Sequence, residues 1–466
     1  MLKYYVYWND RVIFLERIRQ SREMDMLHGS LGDKIIRFAL PVAATGILQQ
    51  LFNAADIAVV GRFVGKEAMA AVGSNSSIVG LMLTLFSGIS MGANVVIALS
   101  TGQGNREGIR NAVHTTILIA ITGGLLMALL GEWMAQPLLH WMGVPKEIFG
   151  EALRYIRIFF AGLPVIVLYN FEAAIFRSQG DTRTPLICLT ISGVLNVVMN
   201  VFFVVVLHMT VDGVALATVL ANLISSVLLL MMLMRSQSAI RVQWSGFSVQ
   251  PRVIGSILRI GAPAGLQGMV FSLSNLCIQS AVNSLGADVI AASATAFNVE
   301  IFAYFVLNSF GQACTTFVGQ NRGAGDLERC RKTTRICMGQ DLIFTALISA
   351  LILLFGHALL RIFNTDPEVI RIGYTRILIL LSAELVNVVI EILSGAMRGY
   401  GQSLIPAIVS LVGICGVRII WVYTVFPFSR KFTTIMAVYP ISWIITALVL
   451  IVAYFVMMRK ITLETA

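Results

Sequence analysis

Phe176-Arg177-Ser178-Gln179-Gly180, closed by Pro185, returns 221 residues later as Met397-Arg398-Gly399-Tyr400-Gly401, closed by Pro406. Nearly the same offset carries Pro41 in Phe38-Ala39-Leu40-Pro41 onto Pro263 in Ile260-Gly261-Ala262-Pro263. It also carries Gly65-Lys66-Glu67-Ala68 onto Gly286-Ala287-Asp288-Val289, and Gly102-Gln103 meets Gly319-Gln320 if a small gap is allowed. Apolar segments resemble one another by composition alone, so the repeat rests on this glycine, proline and arginine punctuation. A chain written twice in this way is expected to fold as two like halves.

The material between these marks is lipid-soluble. The chain is 57% hydrophobic and 12% charged, where soluble domains are about 45–50% apolar and about 25% charged. A bilayer core of about 30 Å takes roughly 20 apolar residues per helix. That ruler gives twelve spans, near residues 35–60, 72–99, 112–131, 152–175, 185–207, 213–234, 255–283, 290–318, 338–356, 377–397, 404–426 and 436–457. Backbone polar groups in lipid must bond within their own segment, so these are helices. Six spans per repeat is an even number, so both halves enter from the same side and the repeat is parallel. The expected fold is therefore an all-α membrane protein with two six-helix lobes. The boundaries read as a tail at 1–30, a lobe at 31–235, a linker at 236–252, a lobe at 253–458 and a tail at 459–466.

The net charge of +10 lies in short clusters between apolar runs. That pattern reads as membrane topology and not as a nucleic-acid surface. With the N-terminus in the cytoplasm, 23 of the 34 Lys and Arg residues fall on the cytoplasmic side. Both termini are thus expected inside, in a multi-pass plasma (inner) membrane protein. Residues 1–23 carry Tyr4-Tyr5-Val6-Tyr7-Trp8 and then Arg11, Arg17, Arg19 and Arg22. They lack a secretory core and cleavage site. Either they form an amphipathic surface helix or translation starts at Met24 or Met26. The six cysteines have no CxxC spacing, and the five histidines are scattered. No metal centre is expected beyond Na⁺ at an intramembrane acid, and no cofactor.

Polar groups inside spans are costly and mark function by default. On the first span Thr45, Gln49, Asn53 and Asp56 are spaced 4, 4 and 3 and form one stripe. Asp56, withdrawn from water, must take a proton or bind a cation, which is the physical basis of an ion exchanger. Asn196 and Asn200 share a face of the fifth span and Thr218 lies on the sixth, offering oxygen to a hard cation. The second half has Glu300, Tyr304 and Asn308 on its eighth span and Glu384, Asn387, Glu391 and Ser394 on its tenth. These acids suit a cationic cargo, the coupling ion or a hydrogen-bond seam. No nucleophile–base cluster suggests an enzyme, and a parallel two-lobe repeat suits alternating access better than a channel or receptor.

In several stretches the chain resembles the multidrug and toxic compound extrusion (MATE) family. They are Ala39-Leu40-Pro41, the Asn53…Asp56…Gly61 spacing, Ala70-Ala71-Val72-Gly73, Phe176 to Pro185, Gly213 to Thr218, and Gly319-Gln320-Asn321. The resemblance covers residues 30–457. It implies two lobes forming a V and export of amphipathic, often cationic, compounds driven by Na⁺ or H⁺. It further implies a coupling site at Asp56, Asn196 and Thr218, with Asn170 on the fourth helix, and a role for Glu300. One departure is Asn200, where many members carry Asp, so the expected site holds one carboxylate. A flippase for lipid-linked precursors is the runner-up. It would need several basic residues in the cavity, and the span centres read as acidic with few bases. The expected partners are a small organic substrate and the bilayer, with the monomer as the functional unit.

Overall fold

A computed structural model describes residues 24–244 and 247–465. The expectations for residues 1–23 lie outside the described residues. Among the described residues twelve helices are long and apolar enough to cross a membrane. They are α1 Gly32–Phe63, α2 Lys66–Gly102, α3 Arg106–Trp141, α4 Lys146–Ser178, α5 Arg183–Val206, α6 Val211–Met234, α7 Pro251–Asn283, α8 Ala287–Gly323, α9 Leu327–Phe363, α10 Pro367–Gly399, α11 Leu404–Phe428 and α12 Phe432–Glu464. Many outrun the apolar windows at both ends, for example Arg106–Trp141 against the expected 112–131. A helix continues through polar flanks because its backbone bonds are local, so hydropathy marks the lipid-facing middle and not the ends.

From α2 onward the two lobes match at a constant offset of 221 residues, with Lys66 answering Ala287, Arg106 answering Leu327, Lys146 answering Pro367, Arg183 answering Leu404 and Val211 answering Phe432. This corrects the gapped pairing of Gly102 with Gly319. The turn after α2 (Gly104 at φ 64°, then the α3 cap Asn105) answers the turn after α8 (Gly325 at φ 80°, then the α9 cap Asp326) without a gap. Each cap side chain accepts from the backbone N–H three residues on, at 2.8 Å, the usual way to satisfy an orphaned helix-start donor. Both Pro41 and Pro263 lie inside their helices. Pro41 leaves its helix bonding incomplete, and the Thr45 hydroxyl donates to the Pro41 carbonyl at 2.8 Å.

The lobes meet along α2, which crosses α7 and α8. Hydrogen bonds between them gather in the halves of the spans nearest the face that carries both described ends. Arg177 donates to Gln312 (2.9 Å), Thr316 to Asn94 (3.1 Å) and Gln320 to the Ser178 carbonyl (2.7 Å). The segment before α1 straps the same seam. Met24 N–H donates to the Gln179 carbonyl in one lobe, and the Met26 carbonyl accepts from Asn321 and Arg329 in the other. At this seam the helices touch backbone to backbone. A Cβ on Gly102 would stand 1.8 Å from the Gln320 carbonyl oxygen, and one on Gly323 would stand 2.1 Å from that of Leu99.

Gly102→Leu is therefore expected to destabilise the protein by about 1–3 kcal/mol, the usual cost of overpacking. Gly73→Leu, where a Cβ meets nothing within 4 Å, should be neutral. Melting temperatures of both variants in detergent check this, and equal melting would mean the seam is looser than described.

Candidate functional site

The N-lobe site forms where α1, α5 and α6 converge. Asp56 is 6% exposed. Its Oδ1 accepts from Asn200 Nδ2 at 2.5 Å, and its Oδ2 accepts from the Thr218 hydroxyl at 3.0 Å. Asn200 Nδ2 also reaches Asn196 Oδ1 at 3.2 Å, and Asn200 Oδ1 has no partner. The four-residue spacing of Asn196 and Asn200 stacks them on one face. Two residues beyond, α5 widens into a π turn at Phe202–Val206, a distortion often met beside functional sites. The Tyr155 ring of α4 lies close enough to interact electrostatically with Asp56; spacing on a single helix gave no sign of it.

Two expected members stand apart. Asn53 is exposed, as is Gln49, so the α1 stripe is not one enclosed face and only Asp56 turns into the lobe. Asn170 donates to the Ile166 carbonyl of its own helix at 2.9 Å, and no bond carries it to Asp56.

Among the described residues no Lys, Arg or His forms an ion pair with Asp56. The C-lobe is built the other way. Glu300 is paired with Arg376, whose Nε lies 3.1 Å from Glu300 Oε2 and whose Nη2 bonds Oε1; Arg376 also donates to Ser293 at 2.6 Å. Arg418 packs over the Tyr439 ring at 4.2 Å and donates to Asn275 at 3.0 Å. Glu384 accepts from Asn387 at 3.1 Å. Glu391 faces Arg398 and Asn308, each at 3.5 Å. Tyr304 is exposed.

The expectation of few bases within the spans is thus corrected: Arg376, Arg398 and Arg418 are all buried. Of the acids expected to suit a cationic cargo, the coupling ion or a hydrogen-bond seam, Glu300 and Glu391 are met by guanidinium groups of α10, and Glu384 by the Asn387 amide. Two further buried acids escaped the sequence reading, Glu172 on α4 and Asp341 on α9. Neither has a like-spaced polar partner to flag it beyond a hydroxyl, Thr345 donating to Asp341 at 3.0 Å. The signal available was simply an acid inside an apolar run.

Between the lobes lies a narrow polar cavity of about 20 Å³, room for about one water molecule, lined by Ser87, Ser90, Asn94, Arg177, Gln312 and Thr316 among others. The repeat mates Arg177 and Arg398 both reach this region, Arg398 through Met91, whose sulfur it contacts at 3.5 Å. The side chains around Asp56 also carry amide and hydroxyl oxygens, a hard set that with the carboxylate fits a proton or an alkali cation. No group of three or more His, Cys, Asp or Glu side chains suited to a transition metal occurs among the described residues.

Two lobes of six spans, each holding enclosed polar groups, with a polar cavity where they meet, are the build of a membrane transporter that moves small molecules by rearranging its lobes. The family model MatE matches residues 41–202 and 263–424, once in each lobe, and the chain belongs to this family of transporters, which are not enzymes. A probable multidrug resistance protein of Bacillus subtilis, YoeA, is 26% identical over 389 residues, 82% of this chain and 84% of the relative. An FAD transporter of Shewanella oneidensis is 23% identical over 401 residues, 83% of this chain and 86% of the relative. In fold, the chain is similar to a MOP superfamily transporter from Pyrococcus furiosus described as having a binding pocket of reverse polarity. The TM-score is 0.86 at 21% identity, over 94% of this chain and 98% of that one.

Proposed function

We propose that the protein is a cation-coupled antiporter that exports amphipathic small organic molecules, with both termini in the cytoplasm and Asp56 as the carrier of the exchanged charge. The observation that carries this reading is a contrast: Asp56 is buried with only amide and hydroxyl partners, while Glu300 has its arginine. A desolvated carboxylate without a fixed countercharge requires a mobile one, and Na⁺ and H⁺ are the two that fit. Asn196, Asn200 and Thr218 serve as its oxygen shell. Filling and emptying this site biases the lobes between their two openings. Asn53 and Asn170 are left outside that shell.

Transport by purified protein in vesicles under an imposed Na⁺ gradient, and separately under an imposed proton gradient, tests the reading. Export under one of them is expected; none under either, across several cationic and anionic probes, would overturn it.

The charge of the cargo has a second reading. Arg177 in the cleft, with its repeat mate Arg398 close by against the one acid Glu391, favours an anionic or zwitterionic cargo over the cationic one that the sequence suggested. Relatives span both multidrug resistance proteins and an FAD transporter. The same arginines keep an anionic lipid-linked cargo, and so the flippase alternative, within the reading. Competition between a cationic dye and a flavin dinucleotide in the same vesicles separates these cargoes.

A further inference from the structure

Glu172 is fully buried on α4, and both of its carboxyl oxygens lack a hydrogen-bond partner. No ion pair reaches it among the described residues. The Ser226 hydroxyl of α6 lies beside it. The titratable groups in the surrounding packing are Tyr169 on the same helix and Cys188 on α5; α2 contributes the amide of Asn94, which bonds the Ala174 carbonyl at 3.3 Å. Of charged groups, Arg177 lies one helical turn further toward the seam, where it is bonded to Gln312. A bare carboxylate in such a place is strongly unfavourable, and no fixed countercharge among the described residues relieves it.

A column of polar groups leads from Glu172 toward Asp56 through the interior of the same lobe. Ser226 and Ser225 of α6 come first, and Ser225 shares a hydrogen bond with Ser192 of α5. One turn along α5 stands Asn196, then Asn200, which bonds Asp56. Thr218, the other partner of Asp56, sits eight residues before Ser226 on α6, about 12 Å along the helix axis. Glu172 therefore lies deep toward the face that carries the described ends, and Asp56 toward the opposite face. Four unpartnered oxygens mark the route: both of Glu172, the Tyr169 hydroxyl and Asn200 Oδ1. Buried groups of that kind are where internal water binds.

We infer that Glu172 is a second proton-binding station of the N-lobe, which receives the proton that Asp56 gives up and releases it toward the cytoplasmic side. The inference rests on the antiport reading above and deepens it. Each step moves one proton: the Asp56 carboxyl becomes a carboxylate as Glu172 becomes an acid, and Glu172 returns to carboxylate as it protonates water at the inner face. Transfer runs through water held by the serine and asparagine side chains of the column. The arrangement also restores to the lobe a second carboxyl, which Asn200 does not supply.

The test uses the full chain reconstituted in vesicles, with export of ethidium and, in parallel, of a flavin dinucleotide driven by a proton gradient, and infrared spectra of the same preparation. In the wild type a protonated-carboxyl C=O band that shifts in D₂O should be present, and Glu172→Gln should remove it. The same variant should lower proton-driven export about a hundredfold, the low end of what a positioned proton-transfer group contributes. Glu172→Asp should keep the band and recover part of the export. An unchanged band, or wild-type export by Glu172→Gln while Asp56→Asn is inactive, overturns the inference and leaves the antiport reading standing. Wild-type export by Asp56→Asn overturns the antiport reading itself.

Discussion

Asp56→Asn should bind cargo and melt no lower than the wild type, yet fail to export against a gradient. The buried carboxylate is a cost to the folded protein, because a charge withdrawn from water without a fixed countercharge is unfavourable. Asparagine keeps the shape and can still bond Asn200 and Thr218, whose amide and hydroxyl groups both donate and accept. The variant removes the penalty with the charge, so its melting temperature should rise or hold. Transport suffers because a cation that no longer distinguishes the two lobe arrangements cannot shift their populations, however steep its gradient. Gradient-driven initial rates should fall to the level of protein-free vesicles, while equilibrium dye binding to the purified variant persists. One readout falls while the other holds, so a merely misfolded variant cannot imitate the result. Full gradient-driven export by Asp56→Asn would remove the charge-carrying role.

The sequence exposed some of this architecture readily and hid the rest for identifiable reasons. Glycine and proline marks revealed the repeat because they fix turns that composition cannot blur. They misplaced one pairing because Gly102-Gln103 and Gly319-Gln320 match as letters, while the turns at Gly104 and Gly325 match as backbone. Asp56, Asn196, Asn200 and Thr218 were legible because an acid in an apolar run is rare and amides four residues apart share a face. Asn53 obeys similar spacing and Asn170 came from the family resemblance, yet Asn53 is exposed and Asn170 bonds its own helix, since neither spacing nor likeness says which face of a helix meets a neighbour. The pairing of Glu300 with Arg376 was hidden by distance along the chain. The partners lie on different helices 76 residues apart, and the expected tenth span began one residue after Arg376, which consigned that arginine to a loop. Glu172 was passed over because it had no partner at helical spacing, the same isolation that makes it conspicuous once its surroundings are known.

Arg376→Leu should be the most destabilising single change in the C-lobe, and adding Glu300→Leu should undo most of the damage. Both side chains are withdrawn from water, at 7% and 12% side-chain exposure. Removing one partner of such a pair leaves an uncompensated buried charge, at a cost of about 3–5 kcal/mol. Removing both replaces a desolvated ion pair by apolar surface, which is often neutral or stabilising. Ser293 would lose its guanidinium donor in either case, a smaller loss that the double variant does not recover. The expected order of melting temperature is therefore wild type close to the double variant, with Arg376→Leu well below. Glu300→Leu should also melt low, because it leaves Arg376 buried with Ser293 as its remaining hydrogen-bond partner. Transport adds a discriminating readout. If the pair only neutralises charge, the double variant exports at the wild-type rate, and coupling belongs to the N-lobe, where Asp56 has no arginine to answer it. A double variant as stable as the wild type but unable to export would instead place a working cation site at Glu300, with Arg376 as the group that a cation displaces.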